Sequence, residues 1–125
     1  MRKTYTYITI LSVIFVCVIV YIAYNRQSDE ISPVEAKENV KSGKYDFIVD
    51  VRTQTEWDEG HLPNTISIPI GNLVSELPEK IPDKNARILF VCKKGVRASG
   101  VVTIAHKLSY KNVQAMIGNF KQLQE

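Results

Sequence analysis

From Tyr7 to Tyr24 the chain carries no charged side chain and is dense in Ile, Val, Leu and Phe. A helix on the surface of a small domain needs a polar stripe, and this segment has none. As a helix, Tyr5 to Tyr24 spans about 30 Å, the depth of a bilayer's hydrocarbon core. Tyr5, Tyr7, Tyr21 and Tyr24 lie near its two ends, where aromatic belts form. A cleaved signal peptide fits less well, because Tyr21-Ile22-Ala23 puts a bulky residue where cleavage prefers a small one. A lipoprotein reading fails at Cys17, which follows Val16 instead of a small residue. The segment is therefore read as an uncleaved, single-pass signal anchor in the cell membrane. Arg2, Lys3 and the amino terminus precede it, and only Arg26 follows closely, with Asp29 and Glu30 beyond. By the positive-inside rule the N-terminus is cytoplasmic and the rest of the chain extracytoplasmic. Two parts result: an anchor with its flanks, residues 1–27, and a domain, residues 28–125.

Charge divides in the same place. The formal net charge is +3, and Arg2, Lys3 and Arg26 flank the anchor. The domain is left near neutral, which gives no case for a nucleic-acid partner. Cys17 falls in the apolar segment, so Cys92 is the domain's single cysteine. That leaves no disulfide within the domain and no cysteine metal cluster, and no metal or organic cofactor is expected.

Ser32-Pro33-Val34-Glu35 reads as a capping box with proline at the first helical position, and Gly43 ends that helix. Tyr45 to Val51, Thr65 to Ile68, the run at Ile88 and Asn112 to Ile117 read as strands. Thr55 to Glu59, Gly71 to Leu77 and Ala98 to Tyr110 read as helical segments, with Pro78, Pro82 and Asp83 marking loop. Strands alternating with helices imply a parallel α/β sheet of about five strands covered on both faces, preceded by one transmembrane helix.

Ile88-Leu-Phe-Val-Cys92-Lys93-Lys94-Gly95-Val96-Arg97 is where chemistry concentrates. A buried strand ends at a thiol, and a helix opens a few residues later. In open α/β sheets ligands bind at that edge. The first N–H groups of the helix have no internal partner, and the helix dipole adds positive character. Lys93, Lys94 and Arg97 are unfavourable beside a helix N-terminus unless something negative sits among them. The same field favours the Cys92 thiolate, the nucleophilic form.

In order along the chain, these pieces resemble the single-domain rhodanese-like sulfurtransferases over about Ile31 to Leu123. Asp50-Val51-Arg52 follows the second strand. Glu56 to Pro63 resembles the family's glutamate and Gly-His-Ile turn, and Ile66-Ser67-Ile68-Pro69 its Asn-Ile-Pro strand. Cys92 to Arg97 resembles its active-site loop. The chain departs from the pattern at Asn64-Thr65, at Gly118-Asn119 and at Leu123, positions of backbone and packing.

The resemblance implies a catalytic Cys92 that takes a sulfur atom from thiosulfate or a similar small anionic donor and gives it to cyanide or a thiol. Lys93, Lys94, Gly95, Val96 and Arg97 would bind substrate, and Asp50 and Arg52 would support the pocket floor, with Arg52 paired to Glu56. Cysteine phosphatases have a loop one residue longer, and the shorter loop suits one sulfur atom better than a tetrahedral phosphate. His61 reads as a hydrogen-bonded turn residue, Trp57 as packing and His106 as an ordinary helix residue. The competing reading is a membrane-anchored binding or redox-sensing module without turnover. The sequence specifies no protein partner.

Overall fold

The structure, a computed structural model, describes residues 1–25, 29–92 and 98–124. Helix α1, Arg2–Asn25, is the one described helix long and apolar enough to cross a membrane, with a mean hydropathy of 2.5 and none of it buried in the protein. The hydroxyls of Thr6, Thr9 and Ser12 donate to the carbonyls of Arg2, Thr6 and Thr9. Such back-bonding satisfies a polar side chain within its own helix.

After α1 come β1 (Glu30–Ile31), α2 (Pro33–Lys41), β2 (Phe47–Asp50), α3 (Gln54–Glu59) and β3 (Ile66–Ser67). A 3₁₀ turn, Ile70–Asn72, leads into α4 (Leu73–Lys80). Then follow β4 (Ile88–Val91), α5 (Ala98–Lys107), β5 (Val113–Met116) and a closing 3₁₀ turn, Phe120–Leu123. The sheet has five strands in the order β1-β5-β4-β2-β3, and each pairing is parallel. This is the expected rhodanese-like architecture. The expected strands and helices are present, with shifted ends. The added element is β1, two residues inside what reads as a polar linker. Ile31 is buried there and pairs with Met116.

β4 is central and all four of its residues are buried. Alternation along a strand sends neighbouring side chains to opposite faces. Phe90 accordingly joins Val49, Val51, Leu73, Leu77 and Val101 in the core under α4 and α5. Leu89 and Val91 join Ile31, Ala36, Leu62 and Met116 in the core under α2.

Two local expectations need correction. Pro78 lies inside α4, not in a loop. Proline removes a bond to the residue four positions earlier, here Val74, whose side chain is 62% exposed and sits on the solvent side. Leu73, Leu77 and Ile81 form the buried stripe that holds the helix despite the proline. Helix α3 begins one residue earlier than expected because Thr53 caps it. The Thr53 hydroxyl accepts from the Glu56 N–H at 3.2 Å, and Glu56 Oε1 accepts from the Thr53 N–H at 3.4 Å.

At the opposite edge from Cys92, Arg87 clips the starts of β2 and β4 together. Its backbone N–H donates to Asp46 Oδ2 at 2.9 Å and its Nη2 to Oδ1 at 2.8 Å. The Arg87 side-chain and backbone hydrogen bonds hold the Asp46 carboxyl at about 2, below its ordinary 3.8. A lowered carboxyl pKa gives stability that is fully present above the unfolded value and lost as pH falls through the folded one. Asp46→Asn should therefore lower Tm slightly at neutral pH, the pair being exposed. The gap to the parent should close as pH falls from 3.8 to about 2, as a pH series of thermal melts would read. Leu77→Ala should cost about 2–5 kcal/mol through lost burial and a residual cavity, measured by urea unfolding of the detergent-solubilised chain.

Candidate active site

β3 lies on one side of β2 and β4 on the other. The connection leaving β2 therefore runs in the opposite direction to the one leaving β4. A crevice opens between two such strands at their C-terminal ends. Cys92 is the residue that follows β4 at this point, and Asp50-Val51-Arg52 ends β2 beside it. The register sets Asp50 against Val91, and the Val51 N–H donates to the Val91 carbonyl at 3.1 Å.

Cys92 is 2% exposed and packs with Val49, Val51, Phe90, Val101 and Val102. It therefore sits on the α5 face of the sheet. Strand alternation puts Asp50 on the other face. The expected loop residues Lys93, Lys94, Gly95, Val96 and Arg97 lie outside the described residues.

Asp50 and Arg52 are 1% and 3% exposed. Arg52 Nε donates to both Asp50 oxygens at 3.0 Å, Nη2 lies 2.9 Å from Oδ2, and the Arg52 N–H donates to Oδ1 at 3.0 Å. The other arms of the fork reach the backbone. Nη1 donates to the Glu56 carbonyl at 3.1 Å and Nη2 to the Gly60 carbonyl at 2.7 Å. The expected partnership with Glu56 thus runs through its carbonyl, while Glu56 Oε1 serves the Thr53 cap. Gly60 has φ +150°, a conformation that side chains rarely adopt, and so it closes α3 and turns its carbonyl onto Arg52. Arg52 in this way ties β2, α3 and the following turn into one rigid edge.

His61 behaves as a turn residue. Its Nδ1 donates to the Trp57 carbonyl at 2.9 Å, and its ring stacks on Trp57 with centroids 3.6 Å apart. Trp57 therefore packs within its own turn. His106 closes α5, with Nδ1 donating to the Tyr110 carbonyl at 2.9 Å and Nε2 lying 3.5 Å from Asp29 Oδ1. A cleft of about 270 Å³ opens on the Arg52 side, lined in part by Arg52, Glu56, Gly60, His61, Asn119 and Lys121. Among the described residues no group of His, Cys, Asp and Glu is arranged to hold a metal ion.

Two polar features are absent from the sequence reading. The Thr53 cap carries a signal, threonine followed three residues later by glutamate. The chain from Asn39 Nδ2 to the Tyr45 hydroxyl and on to Gln114 Oε1, at 3.3 and 2.7 Å, carries none, because its members lie far apart in sequence.

Comparison with known proteins agrees with this architecture. The model of the rhodanese-like domain matches residues 32–125. The thiosulfate sulfurtransferase GlpE of Coxiella burnetii is 33% identical over 93 residues, which cover 74% of this chain and 83% of that protein. A rhodanese-related protein from Thermoplasma volcanium superposes with a TM-score of 0.63 at 26% identity, covering 78% of this chain and 91% of its own. The human single-domain sulfurtransferase TSTD1 has the same fold, with a TM-score of 0.68 at 23% identity over 78% of this chain and 96% of its own.

The buried pair yields a stability test. Arg52→Met leaves the Asp50 carboxylate buried without its cation and should cost about 3–5 kcal/mol in urea unfolding. The double variant Asp50→Leu/Arg52→Met should recover a large part of that loss, because no charge is then left unmatched.

Proposed function

This chain belongs to the rhodanese-like domain family, and from that premise we propose that it is a sulfurtransferase that works through a persulfide on Cys92. The observation that carries the reading is the place of Cys92, at the C-terminal end of the central strand where the sheet's connections diverge. The Cys92 thiolate attacks the outer sulfur of thiosulfate. A new S–S bond forms, the bond between the two thiosulfate sulfurs breaks, and sulfite leaves with its electron pair. The persulfide then gives its outer sulfur to cyanide or a thiol, and the thiolate is restored. Charge balances in both half-reactions, and the two-step course is that of covalent catalysis.

Lys93, Lys94 and Arg97 attract and orient the anionic donor in this reading. Backbone N–H groups from Lys93 to Arg97, Gly95 and Val96 among them, hold the persulfide anion as oriented dipoles. Asp50 and Arg52 keep the edge of β2 rigid beside the thiol. The whole chain then has two parts, residues 1–27 as a single-pass anchor with a cytoplasmic N-terminus, and residues 28–125 as an extracytoplasmic domain.

The test is thiosulfate:cyanide sulfurtransfer by the full chain in detergent, beside Cys92→Ser. The parent should turn over and Cys92→Ser should fall to the uncatalysed rate. Arg97→Ala should raise KM for thiosulfate by about tenfold, the loss of one charge-assisted hydrogen bond. The burial of Cys92 favours one competing reading, a redox-sensing or binding module. A folded parent with no turnover would select that reading.

A further inference from the structure

In a parallel sheet every strand starts at one edge. Here that edge is where α1 joins the domain. Asp29, the residue before β1, is three residues beyond the last residue of the described part of the linker's near side, Asn25, plus one. Whatever its path, so short a connection reaches no more than about 14 Å. If α1 spans a bilayer, the N-terminal edge of the sheet is tethered against its surface.

That edge is basic and carries an exposed aromatic ring. Lys44, Lys84 and Lys111 lie in the loops that lead into β2, β4 and β5. Lys41 and Lys107 close α2 and α5, which run back toward the same edge. The acidic side chains there are already engaged in part: Asp46 with Arg87, and Asp29 within 3.5 Å of His106. Helix dipoles account for cations in the last turns, Lys41 and Lys107, and Lys84 lies 4.3 Å from the centre of the Tyr110 ring. Lys44 and Lys111 stand beyond the helix ends, and no helix terminus accounts for them. Phe47, the first residue of β2, is 36% exposed. Basic residues around an exposed ring, held close to a bilayer, match an anionic headgroup layer.

We propose that the edge bearing Lys44, Lys107, Lys111 and Phe47 docks on the anionic headgroups of the membrane that holds α1, and that the Cys92 edge faces water. The inference rests on the anchor reading of α1 above. From the level of Arg87 to that of Cys92 the strand direction adds about 17 Å. The thiol is thereby lifted clear of the lipid and meets donors and acceptors dissolved in the aqueous phase, not in the bilayer.

The test uses the full chain reconstituted into vesicles of phosphatidylcholine alone, or with phosphatidylglycerol added. A membrane-impermeant amine reagent labels exposed lysines, read by mass spectrometry. Lys44, Lys107 and Lys111 should label about fivefold less in the anionic vesicles. High salt should abolish the difference. Lys121, beyond β5 at the far edge, should label equally in both. In Lys44→Glu/Lys111→Glu, Lys107 should label alike in the two vesicles. Equal labelling of the parent, with the chain resisting alkaline extraction, would overturn the docking and leave the anchor intact. Release by alkaline extraction would overturn the anchor reading and the docking with it.

Discussion

Between β2 and β4 run four register pairs, from Phe47 against Ile88 to Asp50 against Val91. The two strands are parallel, so their C-terminal ends meet at one edge. The pairing brings Cys92 and Arg52, far apart in sequence, to the same crevice. It also sorts them to opposite faces. Cys92 faces the apolar core under α5, while Asp50 and Arg52 face the side covered by α3 and the Gly60 turn. A thiol and a buried ion pair thus share one edge without competing for the same space.

The buried pair is held at the cost of two desolvated charges, which Coulomb attraction alone seldom offsets. Here Arg52 also donates to the carbonyls of Glu56 and Gly60, so its fork is used on both sides. What those bonds add is geometry. The β2 end, α3 and the His61 turn cannot shift independently while Arg52 holds all three. A rigid wall on one side of the crevice is what a reactive group on the other side requires.

Much of this was legible in the sequence because the signals were local. The apolar run at Ile88, the cap at Ser32 and the helical spacing after Ala98 each specify an element from a few adjacent residues. The resemblance to a known family ordered those elements into a sheet. β1 was not legible, since two residues of strand carry no periodicity and Glu30-Ile31 becomes strand only beside Ala115 and Met116. Pro78 reads locally as a breaker, and the buried Leu73, Leu77 and Ile81 override it. At the site, the types of residue were readable and the partners were not. Asp50 and Arg52 stand two apart, yet the carbonyl of Gly60 reaches Arg52 only after α3 has folded and turned the chain back.

The central claim is that Cys92 carries the transferred sulfur as a persulfide. The most direct measurement is the intact mass of the purified chain after exposure to thiosulfate, before and after cyanide. The account predicts a gain of one sulfur atom, assigned to the peptide containing Cys92 and removed by cyanide as thiocyanate. An unchanged mass in a folded chain, or a sulfur found on Cys17 alone, would contradict it.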